Sequence, residues 1–316
     1  HSDSPAFRLK EHPDRRSAHY VQLSTEKDGG MLMSTWFDRP LSVAGRVFVR
    51  ANGEIVEKLV SVDRDLLVIP NVAIHMNRQA NEGYKWNPAV DTLPLIGSAG
   101  TAGKLPALLE KEAGGKILGH DLYLYIRQKA SVWGVDEEYI SSAALDDLEC
   151  AWGCTQGFLK GGDSASIPVL CVFDSEEVGS VSPQGAGSSL LEDTLGRICD
   201  GLKLNRGRML AQSFLVSADN AHAVHPNHPE YADPGNAPVM GGGLVIKYNA
   251  NLSYCTDSVS AAVFRKICGR AGVKVQTYHN RADLPGGSTL GRISLAHVSV
   301  PTVDIGLAQL AMHSCY

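Results

Sequence analysis

The sequence predicts an α/β protein with a strand-rich section, and three observations predict it. Strand-like patterning runs from about residue 20 to residue 70. After about residue 120, apolar strand runs alternate with helical patterns, as in layered α/β folds. The length, 316 residues, exceeds the size at which one core usually stops growing, so one large or two unequal domains are expected.

Gly29-Gly30 and Asn52-Gly53 punctuate the strand-rich section. Asn52-Gly53 lies between two apolar-alternating runs, 46–50 and 55–60, which is a hairpin signal. Val47 and Val49 alternate with larger or charged neighbours, as on a half-buried strand. Residues 98–115, rich in Gly, Ala and Lys, read as a loop and a helix. Residues 169–173 read as a short buried strand, 188–202 as a helix and 214–217 as another strand. Residues 243–249 form an apolar run that reads as a strand with the cation of Lys247 projecting from it. Residues 258–271 read as a helix closed by Gly272.

Composition narrows the function classes. The chain is 44% hydrophobic, enough for a sizeable core, and its net charge is -5 with the signs mixed. No basic stripe is present, so nucleic acid is not an expected partner. No run of about 18 apolar residues exists, so no membrane span is expected. No signal peptide is visible, although the first residue is His1 rather than Met. Seven cysteines, odd in number and without a CxxC pair, fit reduced thiols and a cytoplasmic location.

Five short segments carry chemistry. They are His1-Ser2-Asp3, Leu145-Asp146-Asp147-Leu148, Asp174-Ser175-Glu176-Glu177-Val178-Gly179, Ser217-Ala218-Asp219 with His222 and His225 behind it, and Ala311-Met312-His313-Ser314. In open α/β sheets ligands bind at the carboxyl ends of strands, where these groups would converge. Carboxylates and neutral imidazoles suit zinc, manganese or cobalt. Two metals about 3.5–4 Å apart need one shared carboxylate and further ligands on each. Two histidines, two aspartates and a glutamate, with one more glutamate as base, meet that count. Taken singly, each signal has an ordinary explanation: a solvated Glu-Glu helix start, an N-capping Asp, a core histidine, a disordered His1.

The order and local sequence of these segments resemble the aspartyl aminopeptidase family of metallopeptidases. The resemblance covers nearly the whole chain. It rests on His1-Ser2-Asp3-Ser4-Pro5, the block from Ser34-Thr35-Trp36-Phe37-Asp38-Arg39-Pro40-Leu41 through Val47, Ile69-Pro70-Asn71-Val72-Ala73-Ile74-His75, the two acidic motifs above, Ala221-His222-Ala223-Val224-His225-Pro226-Asn227 after Asp219, and Gln309-Leu310-Ala311-Met312-His313-Ser314. It implies a co-catalytic zinc exopeptidase fold, a mixed central sheet flanked by helices, with an inserted β-rich dimerisation domain. The catalytic domain would be residues 1–13 and 119–316, and the insert residues 14–118.

By the same resemblance, His1 and Asp219 would hold one divalent metal ion, Glu177 and His313 the other, and Asp146 would bridge them. Glu176 would be the general base that deprotonates a metal-bridging water and then protonates the leaving amine. Asp3 would fix the His1 tautomer. Lys247, His225 and Tyr254 would form the pocket for the substrate's first side chain, and His75 would approach a neighbouring subunit's site. A cation in a partly desolvated pocket there implies a preference for N-terminal Asp or Glu in peptide substrates. Self-association as dimers, and from them a tetrahedral dodecamer, is also implied. Family chains are longer at both ends, so a fragment is expected. Arg292 stands where many relatives carry Pro. Other classes are a co-catalytic zinc deacylase or carboxypeptidase on a related fold, a non-enzymatic cargo or scaffold protein, and a metal-dependent carbohydrate or peptide enzyme of mixed specificity. The first lacks family-specific support, and loss of a ligand, the mark of the second, is not seen.

Overall fold

The computed structural model describes residues 1–162 and 164–316. They form two compact units, Pro5–Ala144 with His313–Tyr316, and His1–Ser4 with Leu145–Met312.

The first unit is β-rich. Its strands are β1 (Ala6–Arg16), β2 (Tyr20–Asp28), β3 (Leu41–Ala51), β4 (Glu54–Ser61), β5 (Leu95–Ser98) and β6 (Ile117–Ile126), with helix α1 (Lys104–Ala113) before β6. They make an antiparallel sheet in the order β4-β3-β6-β1-β2-β5. A small hairpin, β7 (Ser131–Trp133) with β8 (Tyr139–Ser141), completes it. The β3–β4 turn is the expected Asn52-Gly53 pair, at φ 52° and 86°, with Ala51 opposite Glu54. Positive φ at both positions matches the twist of the flanking strands. Val47 and Val49 point inward with Leu122, Leu124, Phe7 and Leu9. Leu105, Leu109 and Ala113, one face of α1 at a spacing of four, join the same core. The expected insert, residues 14–118, lies inside this unit.

The second unit is α/β. It comprises α2 (Leu145–Lys160), α3 (Leu190–Gly201), α4 (Arg206–Ala211), β9 (Leu215–Ala218), β10 (Ala221–His222), β11 (Leu244–Tyr248), α5 (Ser258–Ala271), β12 (Val275–His279), α6 (Leu290–Leu295), β13 (Thr302–Gly306) and β14 (Ala308–Gln309). The central sheet is mixed, in the order β12-β11-β13-β9, with only the β11–β13 pair antiparallel. β10 and β14 pair in parallel as a separate ribbon. Helix α5 starts in a capping box of Asp257 and Ser260 and ends at Gly272, φ 66°. Its Phe264 and Cys268 pack on Ile246, Val303 and Ile305.

One sequence expectation fails here. Residues 169–173 are not a strand. Phe173 is buried and its carbonyl accepts Ser2 N at 2.8 Å, but Val169 and Val172 are exposed at 42% and 43%. An apolar run becomes a strand only where a neighbour supplies a ladder, and one bond to Ser2 does not. The acidic turn at Glu176 therefore follows an irregular segment. Among the described residues, no helix is long and apolar enough to cross a membrane, and all seven cysteines are free thiols.

Candidate metal centre

Three segments of the α/β unit converge on His1. Asp219 directly follows β9, where the parallel neighbour β13 ends at Gly306. A Cβ on Gly306 would lie 2.1 Å from the Asp219 carbonyl oxygen, so glycine is what lets the two strands close there. Asp146 and Asp147 open the α2 segment with non-helical backbone angles. They follow the short strand β8, Tyr139–Ser141, by a few residues. Glu176 and Glu177 sit in a 3₁₀ turn, Glu176–Val178, whose backbone N–H groups donate to the two Asp3 oxygens, each at 3.0 Å. One carboxylate thus satisfies two otherwise orphaned donors and fixes both glutamates.

His1 is 4% exposed. Its backbone nitrogen donates to Asp147 Oδ2 at 2.7 Å, and Ser2 N and Ser4 Oγ donate to Phe173 O at 2.8 Å and Asp146 O at 2.6 Å. Its Nδ1 is 2.9 Å from the Asp3 carbonyl oxygen and 3.2 Å from Asp3 Oδ1. Two acceptors at Nδ1 place the proton there, which leaves the Nε2 lone pair of the neutral ring pointing at the opposite side. On that side are Asp146 Oδ1 at 3.6 Å, Glu176 Oε2 at 3.9 Å and Asp219 Oδ1 at 3.9 Å.

Three carboxylate oxygens around Nε2 call for positive charge at that point, supplied by a proton on the ring or by a metal cation that takes the proton's place on the Nε2 lone pair. One ligand atom from each of His1, Asp146 and Asp219 falls within 4.8 Å of the others, and the same holds for His1, Glu176 and Glu177. Ligands 2.0–2.2 Å from a tetrahedral zinc stand roughly 3.3–3.6 Å apart, so this donor set fits a divalent metal in both spacing and chemistry.

The charge states express the same conflict. Burial lowers the His1 imidazole pKa, but bonds to Asp146 and Asp3 and the charges of Asp219 and Asp147 overcome it and push it up to about 12. Burial, then repulsion from Asp219, pushes Glu176 up to about 7 and Asp147 up to about 8. Burial raises Asp219 as well, opposed mainly by the nearby Lys247. Asp3 differs. Burial raises it, yet the bond and charge of His1 hold it below the usual carboxylate range.

Lys247 is not a solvated strand lysine. It is 2% exposed on β11, donates from Nζ to Asp219 O at 2.8 Å and Asn220 O at 3.0 Å, and stands 3.9 Å from Asp219 Oδ2. Its ammonium also lies 5.1 Å from the centroid of the buried Tyr254 ring. His225 accepts Asn227 N at Nδ1, 3.2 Å, and lines a pocket of about 360 Å³ together with His222, Tyr231, Tyr278, His279 and Gln309. His313 and His75 belong to the β-rich unit. There His313, φ 67°, holds its Nδ1 2.8 Å from Gly30 O, and His75 is exposed in a turn region.

Sequence reasoning missed Asn220, Cys150 and Gln309. Asn220 is 3% exposed, and its amide reaches Leu145 O at 3.0 Å and Gln309 Oε1 at 3.1 Å and accepts the Cys150 thiol at 2.8 Å. Burial pushes the Cys150 pKa far up, so it remains a donor. A polar residue after a strand reads as a turn, and only the adjacent Asp219 hints otherwise.

The whole chain, residues 1–316, matches the family described as Aminopeptidase I zinc metalloprotease (M18). It is 45% identical to "Probable M18 family aminopeptidase 2" of Clostridium acetobutylicum, covering 99% of this chain and 76% of that one. The fold superposes with TM-score 0.93 at 37% identity on Ape4 from a complex with Nbr1, spanning 100% of this chain and 66% of that one. Against mApe1 of Chaetomium thermophilum the TM-score is 0.86 at 31% identity, with 100% and 74% covered.

Proposed function

The chain belongs to the Aminopeptidase I zinc metalloprotease (M18) family, and from that premise we propose a two-metal aminopeptidase that prefers peptides with N-terminal Asp or Glu. The family is one of metalloaminopeptidases, hydrolases acting on N-terminal peptide bonds with zinc. The observation that carries the reading is the His1 Nε2 facing three carboxylates within 3.6–3.9 Å in a chain of this family.

His1 and Asp219 are proposed for one ion, with Asp146 shared. Glu177 and His313 are assigned to the other on the family resemblance, and the Gly30 carbonyl at His313 Nδ1 supports Nε2 as its ligand atom. When bound, divalent metal polarises the scissile carbonyl and acidifies the attacking water. Glu176 takes the water's proton and delivers it to the departing amine. Its burial, which favours the protonated form, suits the second half of that task. Asp3 holds His1 in one tautomer and the Glu176 turn in one place.

The acid preference rests on Lys247. An ammonium has three N–H donors, and the Asp219 and Asn220 carbonyls account for two. The third is assigned to the carboxylate of the substrate's first residue, with Tyr254 and His225 beside it. His75 serves the site of a neighbouring copy, within dimers built by the β-rich unit and a tetrahedral dodecamer built from them. The proposed compartment is the cytoplasm, with neither nucleic acid nor membrane as partner.

The test is hydrolysis of an aminoacyl panel with metal content measured alongside. Acidic substrates are expected to lead. Exhaustive chelation should abolish turnover, and zinc, manganese or cobalt should restore it. Full activity after confirmed metal loss would overturn the reading.

A further inference from the structure

Asp146 and Asp219 come from segments 73 positions apart, the start of α2 and the end of β9. Both are carboxylates in a buried site, and where both are ionised they push their segments apart. Fixing their spacing takes directional bonds between the two segments, not charge alone. Asn220 occupies the position where that can be done. Both hydrogens of its amide are engaged, one by the carbonyl of Leu145, the residue before Asp146, and one by Gln309 Oε1 on β14. Its oxygen accepts the thiol of Cys150, one helical turn beyond Asp146. Asn220 therefore grips the opening of α2 at two points about a turn apart. On its other side, its own carbonyl and that of Asp219 are tied together by Lys247 Nζ. Burying an amide costs free energy unless it is fully bonded, and this one is bonded at both ends.

We propose that Asn220 is a positioning residue that sets the separation of the Asp146 and Asp219 carboxylates and so preorganises them for metal. It is outside the ligand set and acts through its bonds to Leu145, Cys150 and Gln309 and through its own backbone next to Asp219. The inference rests on the metal-centre reading and extends it to a residue outside the ligand set.

The experiment measures zinc affinity by chelator competition, with bound zinc counted, and follows thermal unfolding of the stripped protein in parallel. Asn220→Leu keeps the volume and removes every side-chain bond, the long contact of its amide to Glu149 Oε2 at 3.5 Å included. Zinc affinity is expected to fall by about 10- to 100-fold, the span seen when a group orienting a ligand is lost. Cys150→Ala removes one of the two grips and should weaken zinc about fivefold, the worth of one neutral hydrogen bond, while Cys150→Ser, which restores a donor, should recover affinity. This pair keeps the proposal open to refutation if Asn220→Leu does not fold. Unchanged zinc affinity in folded Asn220→Leu, or in Cys150→Ala, with only a lower unfolding temperature, would reduce Asn220 to a purely structural role. A wild-type protein that binds no zinc would remove the metal centre itself, a result distinct from tight binding by wild type and variant alike.

Discussion

The two units differ in what they bury. In the β-rich unit one continuous cluster gathers Phe7, Trp36, Leu41, Val47, Leu122 and Leu124 with their neighbours, and the buried polar residues there, Thr25, Ser42 and Thr92, carry no charge. In the α/β unit the apolar core is split into three smaller clusters. This unit also holds His1, Asp146, Asp147, Asp219, Lys247 and Asp304, which among the described residues are all the buried Asp, Glu, His, Lys and Arg side chains. Burying apolar area stabilises, at about 25 cal/mol per Å², whereas burying charge destabilises unless it is paired or ligated. One unit thus invests its interior in stability and the other in chemistry. The difference is open to test from either side.

The largest effects should come from the charged interior. Glu176→Gln is expected to lower kcat by at least roughly 100-fold, the span of a general base, while metal content stays at the wild-type value. Asp146→Asn should instead lose metal, because an amide is a poorer ligand at the point where His1 Nε2 and Asp219 meet. Elemental analysis with kinetics separates the two. A Glu176→Gln protein that is folded but stripped would exchange the assigned roles. Neither substitution should alter the antiparallel sheet, which hydrogen exchange of the β3–β4 amides can check.

A smaller and more selective effect is expected at Lys247. Lys247→Ala should cut kcat/KM for N-terminal Asp or Glu by about 10- to 100-fold, equivalent to about 1.4–2.7 kcal/mol for a bond to a charged group. Neutral substrates should change far less. Equal loss on acidic and neutral substrates would show that the bonds to the Asp219 and Asn220 carbonyls are the whole of its role.

The same division governs what was legible in the sequence. Local devices read correctly: the Asn52-Gly53 turn needs positive φ at both residues, and α5 runs from its Asp257 cap to Gly272 as its pattern indicates. Residues 169–173 misled because hydrophobicity does not reveal whether a ladder partner exists. The charged cluster is assembled across 145 positions between His1 and Asp146 and 218 between His1 and Asp219, so no local period encodes it. The types and order of the acidic motifs suggested it, and the family resemblance supplied the roles. Asn220 had neither kind of signal, since its partners Leu145, Cys150 and Gln309 are remote and unremarkable in sequence.

The smallest effect on chemistry should come from the apolar interior. Leu124 on β6 is 1% exposed, sits opposite Val43 of β3 and belongs to the large cluster. Leu124→Ala removes three heavy atoms from a packed site, losing both their transfer free energy and their contacts. The expected cost is about 2–5 kcal/mol, towards the upper end if the strands on either side prevent the cavity from closing. That cost falls on the folding equilibrium. Residue 124 lies in the unit without buried charge, so zinc affinity and kcat per folded molecule should match wild type within about twofold. Denaturant unfolding gives the stability change, and zinc competition on the folded fraction gives the affinity. A Leu124→Ala protein that is stable but binds zinc tenfold more weakly would mean that the β-rich core also shapes the metal centre, and the separation of stability from chemistry drawn between the two units would not hold.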